Sequence, residues 1–318
     1  MDTFIVVLES ILILLGIGFI GFWITRRGII PENVHVVLTR LAIDIALPCM
    51  VFSNIIVNFS PSEFPDWWQL PLWWLGFATT SIILTILTKF ISRKETRPEF
   101  CINLFYQNGL FFPLIIISGI FGVNSPYIPQ LYIFIIFHPV MFFSTYQYFF
   151  KNGEKKLRLN RIFNHIFITT ILAVIIRLFG FSDYLPSFIQ AIFEILGAMA
   201  LPLIMIILGG SLYLDFQQKG KIYRIEILKF IVTKNLIFPA VFLGLLLLIR
   251  TQYEIPYSIA LLLILESAVP PITGTPIVTE RAGGNKSIST QFVFTSFISS
   301  MVSIPAIFYL FSQFFSPL

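Results

Sequence analysis

The chain has 318 residues, 57% of them hydrophobic and 12% charged, with a formal net charge of +5 and a mean hydropathy of +0.87. A soluble domain carries about 25% charged residues, so this composition excludes a water-soluble fold and places the function within a bilayer. The excess of base does not imply an acidic partner, because most Lys and Arg fall in alternate connections between apolar segments.

Those segments lie at 4–25, 35–59, 69–91, 100–121, 128–150, 162–181, 187–214, 226–249, 257–279 and 288–311. Each is long enough, at ~20 residues, to cross ~30 Å of hydrocarbon. They are too long for tilted strands and lack the alternation of a barrel. The expectation is an all-α integral membrane protein of ten transmembrane helices. The first, third, fifth, seventh and ninth connections hold the basic residues, among them Arg26 and Arg27, Lys151 to Arg161, and Lys219 to Arg224, while the even ones carry Glu63, Asp66 and Asp183. Positive charge marks the cytoplasmic side, so both termini are expected on the outside of a cell (plasma or inner) membrane. No nucleic-acid module or aromatic interleaving accompanies the basic loops. Cys49 and Cys101 fall inside spans, where a thiol behaves as a small hydrophobe, and no metal or disulfide framework is implied. The first span is too long for a signal-peptide core and is expected to stay as an anchor.

In chain order, span one carries Gly16, Gly18 and Gly21, which allow a neighbouring helix close approach, and Glu9 near its outer end faces either the interface or another span. Span two reads LTRLAIDIALPCMVFSN: Pro48 breaks the helix, and Arg40 and Asp44 precede it at a spacing of four. The bland reading is an intrahelical ion pair. The sharper one makes Asp44 part of a proton or cation site, since an intramembrane carboxylate costs ~2.5–3.5 kcal/mol on insertion scales. Trp67, Trp68, Trp73 and Trp74 read as an interfacial anchor, and Thr79, Thr80, Ser81 and Thr85 of span three as interhelical hydrogen bonders. Span four, FCINLFYQNGLFFPLIIISGIFG, concentrates Asn103, Tyr106, Gln107 and Asn108 ahead of Gly109 and Pro113. Polar side chains there face a cavity or cap a broken backbone. His138 before Pro139 in span five reads as a hydrogen-bonded packing residue.

The basic loop after span five separates residues 1–153 from 154–318. Ala46-Leu47-Pro48 recurs as Ala200-Leu201-Pro202, each in the second span of its five. Because five is odd, the halves enter the membrane in opposite directions, which is an inverted repeat. Span seven ends in Gly209, Gly210 and Ser211, with Glu194 near its start. Lys234 and Asn235 lie ~12 Å inside span eight, deep enough that Lys234 needs a partner. Span nine, LLLILESAVPPITGTPIVT, is interrupted by Glu266, Pro270, Pro271, Gly274 and Pro276. Three prolines deprive the carbonyls of Glu266, Ser267 and Ile272 of their helical partners, which hydrocarbon tolerates only beside protein or water. Asn108 and Gly109 precede Pro113 by the same step as Glu266 and Ser267 precede Pro271. Span ten offers a hydroxyl face of Ser287, Ser289, Thr290, Thr295, Ser296, Ser299, Ser300 and Ser303, suited to lining a crossing.

Four stretches together resemble the auxin efflux carrier family of membrane transporters: LTRLAIDIALPCMVF, NLFYQNGLFFPLIIISGIFG, LGAMALPLIMIILGGSL, and VPPITGTPIVTERAGGN leading to Pro305. The resemblance covers the whole chain. It implies ten helices in two inverted five-helix repeats, similar to bile acid sodium symporters, with helices four and nine broken and crossing at mid-membrane. It further implies a scaffold of spans one, two, six and seven, a moving domain of spans three to five and eight to ten, and an elevator-like motion. The family's substrates are organic anions, auxin in plants and dicarboxylates such as malate or malonate in some bacterial members.

Broken helices suit that class of cargo, since half-helix N-termini attract a carboxylate and freed carbonyls a cation. The candidate substrate-binding residues are Asn103, Gln107, Asn108, Gly109, Pro113, Pro270, Pro271, Thr273, Gly274 and Thr275. Glu266 and Asp44 are candidates for holding a coupling H+ or Na+, and no other cofactor is expected. For Glu266 the alternative is a structural carboxylate paired with Lys234 or capping freed N–H groups. The expected partners are a small organic anion and the bilayer, and a homodimer through the scaffold spans would suit a fixed frame. A Na+-coupled bile-acid-type symporter and a passive anion channel or receptor remain as rivals. A membrane-embedded enzyme lacks its chemistry: only His35, His138 and His165 exist, with no zinc or nucleophile motif.

Overall fold

A computed structural model describes residues 2–150, 165–217 and 222–316. The basic residues Lys151, Lys155, Lys156, Arg158 and Arg161, the boundary between 153 and 154, and Lys219 and Lys221 lie outside the described residues. Within them the fold is all-helical, apart from one isolated antiparallel bridge. Seven helical segments are long and apolar enough to cross a membrane: Ile5–Arg26, Asn33–Asn58, Pro65–Ile91, Tyr127–Phe149, Ser187–Leu214, Arg224–Arg250 and Lys286–Ser312. Three shorter apolar helices, Phe111–Phe121, His165–Leu178 and Tyr257–Ala268, accompany them.

One group of helices is built on small residues. Helix α1 (Asp2–Arg26) runs along α11 (Ala200–Gln217), and α2 (Glu32–Arg40) packs on α11 as well. The continuation α3 (Leu47–Asn58) lies against α9 (His165–Leu178) and α10 (Ser187–Ala198). A Cβ at Gly21 would collide with the Ile206 backbone, and one at Gly209 with the Gly18 carbonyl. The seam is therefore backbone on backbone, the contact that small residues permit where no hydrophobic effect separates protein from lipid.

A second group surrounds α14 (Tyr257–Ala268), buried at every residue from Ser258 to Ala268. It touches α4 (Leu70–Thr88), α6 (Phe111–Phe121), α7 (Tyr127–Phe134), α13 (Phe238–Arg250) and α16 (Lys286–Ser312). α16 also meets α5 (Arg97–Phe105), α12 (Arg224–Ile231) and α15 (Thr275–Arg281), and α8 (His138–Thr145) completes the set. Asn235 holds this group from inside: its amide donates to the Ser296 carbonyl and to Ser303 Oγ, 3.2 Å each, and accepts from Ser296 Oγ at 2.8 Å. The hydroxyls of α16 thus act partly as glue between helices.

Several expectations are corrected. Pro48 does not break span two: a π-helical segment, Leu41–Ala46, leads directly into α3, whose first turn holds Pro48, the single-turn form in which π-helix enters an α-helix. The same device, Val232–Ile237, stands before Pro239. The altered register turns Asp44 toward α9, where its Oδ1 lies 3.2 Å from His165 Nδ1, and the Arg40–Asp44 ion pair is not formed. Trp74 is not interfacial but buried, its ring 5.7 Å from that of His138. Thr79, Thr80 and Thr85 bond back to carbonyls of their own helix, at Leu75, Gly76 and Ser81. Glu9 and Glu194 are exposed.

The seam generates a contrast. Gly209→Leu and Gly21→Leu should each lower the thermal unfolding midpoint in detergent by at least the equivalent of the ~1–3 kcal/mol of an overpacked core. Gly16→Leu, with nothing within 4 Å of its Cβ position, should stay within about 0.5 kcal/mol of the parent. Equal effects at all three positions would show that the seam is not close-packed.

Candidate functional site

Span four is two helices. α5 ends at Phe105, Tyr106 turns extended, and α6 begins at Phe111. Span nine is divided likewise: α14 ends at Ala268, Val269 is extended, and α15 begins at Thr275. The two interruptions pair with each other. Asn108 N donates to the Pro270 carbonyl at 2.7 Å, and Ile272 N to the Tyr106 carbonyl at 3.1 Å, which makes Gln107 and Pro271 an antiparallel bridge.

The prolines divide their work. Pro270 and Pro271 lie in the extended stretch, where their missing N–H groups leave fewer donors to satisfy. Pro113 and Pro276 stand in the first turns of α6 and α15, where a helical N–H has no partner in any case. The Ile272 carbonyl, expected to be orphaned, accepts from Thr275 N at 3.0 Å and from the Thr275 hydroxyl.

The predicted residues and their neighbours Leu110, Phe111 and Ile272 sort into a sealed and a partly open layer. Asn103, Gln107, Asn108, Gly109, Pro113, Glu266, Pro270, Pro271 and Thr275 are buried, while Leu110, Phe111, Ile272, Thr273 and Gly274 are partly exposed. The accessible side is thus where α6 and α15 begin and their N–H groups point. Asn103 donates to the Glu99 carbonyl at 2.8 Å and to Ser289 Oγ at 2.9 Å, fixing α5 to α16. Asp44 is not brought to this place; its side chain is 45% exposed and sits against α9.

Glu266 occupies the sealed layer. It is 0% exposed, and neither carboxylate oxygen makes a hydrogen bond of good geometry, the Gln107 side chain standing nearest. Its carboxylate lies directly beneath Gly109, where any Cβ would strike both oxygens. Gly109 is therefore required by the acid across the crossing. Gln107 Oε1 and Asn103 Oδ1 are buried and unpartnered as well.

Two further groups border this layer: Lys234, expected only as a structural partner of Glu266, and His138, expected only in packing. Lys234 is 0% exposed, with Nζ unpartnered and 5.3 Å from the centroid of the Phe238 ring. His138 carries an unpartnered Nε2. With Trp74, Phe105, Tyr106, Gln107 and Met141 it lines a cavity with about 10 Å3 open to the centre of a water molecule, room for about one water. Tyr106 closes one wall, its hydroxyl bonded to Thr145. The sequence signal for Lys234 was its depth in an apolar span; Trp74 gave none, because hydropathy does not say which way a ring faces.

The sequence pattern of the membrane transport protein family matches residues 6–160 and 150–308. The chain belongs to that family. Membership agrees with the resemblance to auxin efflux carriers drawn from the four motifs. The chain is similar to an uncharacterized transporter of Methanocaldococcus jannaschii, 28% identical over 237 residues, 71% of this chain and 76% of that protein. It is also similar to an uncharacterized transporter of Saccharomyces cerevisiae, 28% identical over 105 residues, 33% of this chain and 24% of the yeast protein. In this member of the membrane transport protein family, the crossing of the two broken spans is the candidate site.

The Gly109–Glu266 contact can be tested by a double-mutant cycle. Gly109→Ala should destabilise by about 1–3 kcal/mol, and Glu266→Ala in the same chain should recover at least half of that loss. Strict additivity in thermal unfolding would show that the two residues do not touch.

Proposed function

We propose that the protein is a secondary active carrier of a small organic anion, a mono- or dicarboxylate. The observation that supports this reading best is the polarity of the crossing. The N-terminal ends of α6 and α15 are its accessible face, while the C-terminal ends of α5 and α14 and the Glu266 carboxylate lie behind it. Helix N-termini carry roughly half a positive charge and free N–H donors, so the open face suits a carboxylate. The carbonyl ends and Glu266 suit a cation or proton bound at the same time.

In this reading the two breaks belong to inverted five-helix repeats, residues 1–153 and 154–318, and cross at mid-membrane. Asn103, Gln107, Asn108, Gly109, Pro113, Pro270, Pro271, Thr273, Gly274 and Thr275 form or shape the anion site. Glu266 holds the H+ or Na+ that travels with the anion. The tightly seamed helices α1, α2, α3, α9, α10 and α11 serve as the fixed frame, and the group around α14 moves against it. Both termini face away from the cytoplasm.

Binding to the folded state raises its stability by RT ln(1 + [L]/Kd). A thermal-shift screen of small mono- and dicarboxylates should therefore give at least one anion that raises the midpoint, and amines of like size should not. In liposomes that anion should show trans-stimulated counterflow; flux without trans-stimulation would identify a channel. Glu266→Gln should flatten the pH or Na+ dependence of transport, and an unchanged profile would remove Glu266 from coupling.

A further inference from the structure

The interior beside the crossing holds two opposite charges that do not touch. Glu266, on α14, and Lys234, on the π-helical segment Val232–Ile237 packed against it, are both 0% exposed. The ammonium has no hydrogen-bond partner, and the carboxylate oxygens have none of good geometry, the Gln107 side chain standing nearest to them. The two lie within electrostatic reach of each other. Gln107 Oε1, next to Glu266 in the paired break, is a third unpartnered oxygen.

The other groups facing the pair are few. His138 of α8 presents an unpartnered Nε2, and Asn235, beside Lys234, is committed to Ser296 and Ser303. The local balance is therefore three free acceptor oxygens against one free ammonium with three N–H donors. A carboxylate and an amide oxygen around an empty charge are the donor set of an alkali cation. Here the nearest cation is covalently attached to the protein.

We infer that Lys234 is the built-in counter-cation of Glu266, filling the role that Na+ would otherwise take among the Glu266 and Gln107 oxygens. The inference deepens, and rests on, the reading of Glu266 as the coupling group. Of the two coupling ions it selects H+. A Na+ ion beside Lys234 would place two positive charges against one carboxylate in a water-excluding interior, where repulsion is weakly screened. A proton adds no second cation: taken up from water by the pair when Nζ is an amine, it gives an ammonium facing a carboxylate, neutral overall. Returned to water, it leaves an amine facing a carboxylate, so one proton is bound and released in each cycle.

The test measures ion binding without any organic anion, so that failure to find a carboxylate substrate and failure of this inference are separate results. Purified wild-type protein, Lys234→Met, Glu266→Gln and the Lys234→Met/Glu266→Gln double variant are melted in NaCl and in choline chloride at equal ionic strength. The wild type is expected to unfold at the same midpoint in both salts. Lys234→Met should acquire an upward shift of a few degrees for each tenfold rise in Na+, and the double variant should lose that shift. A Na+ stabilisation of the wild type that Glu266→Gln abolishes would overturn the inference, and so would a folded Lys234→Met indifferent to Na+. Should Lys234→Met not fold in either salt, the double variant decides. Removing both members of a pair spares the structure an isolated buried charge, so recovery of a folded protein supports the pairing and no recovery overturns it.

Discussion

Inside a bilayer every backbone N–H and C=O must find its partner within the protein, because no water is there to serve. A helix meets this demand automatically and an interrupted helix does not. The protein answers by interrupting two helices at one place and letting each interruption supply what the other lacks: Asn108 N–H goes to the Pro270 carbonyl, and Ile272 N–H to the Tyr106 carbonyl. One bridge is as much pairing as the geometry allows, since helices leave it on all sides. A net gain of about 1 kcal/mol per hydrogen bond is modest. The cost of leaving such groups unpaired in hydrocarbon is several times larger, so neither break is stable without the other.

The crossing then dictates its neighbours. Bringing the extended stretches within hydrogen-bonding distance presses the last turn of α14 against the start of α6, and Glu266 lands beneath Gly109. With no Cβ at residue 109 the carboxylate fits, but the fit excludes donors from its upper side. The resulting unpartnered acid is accompanied by an unpartnered base, Lys234, from the segment that packs on α14. A buried charge without its counter-charge is among the most destabilising features a fold can carry. These two groups stand close together because neither is tolerable alone.

Much of this was legible in the residues, and the rest was not for identifiable reasons. Prolines and polar residues in otherwise apolar spans marked both interruptions, because each alters backbone pairing locally. That the two interruptions bond to one another is a long-range fact with no local mark. Trp74 and the hydroxyls of span three were misplaced, since a helix that is apolar all round shows its depth but not its facing. Asp44 was assigned a partner by counting four residues along an α-helix, and a π-helical turn at that point makes the count inapplicable. Lys234 was recognised as too deep to reach water and as a structural partner for Glu266, but nothing local set that pairing above a cap on freed N–H groups, because α14 is remote in sequence from the segment that packs on it.

The hydrogen bonds around the crossing also bear on where the protein can move. Asn103 joins α5 to α16 through Ser289, Asn285 N donates to Glu99 Oε1 at 2.7 Å, and Asn235 ties its segment to α16. Farther along, Glu226 of α12 accepts from Ser92, Thr96 and Lys229. Parting the two breaks would rupture the bridge and strain this network together, leaving several polar groups unpaired in a dry interior. Where α1 meets α6 and α16, by contrast, Val7, Ile11 and Leu14 share an apolar cluster with Phe112, Ile116 and Phe308. Apolar surfaces can slide with little change in contact energy, whereas directional bonds cannot. Directional bonds thus hold the crossing together, while its contact with α1 is largely apolar.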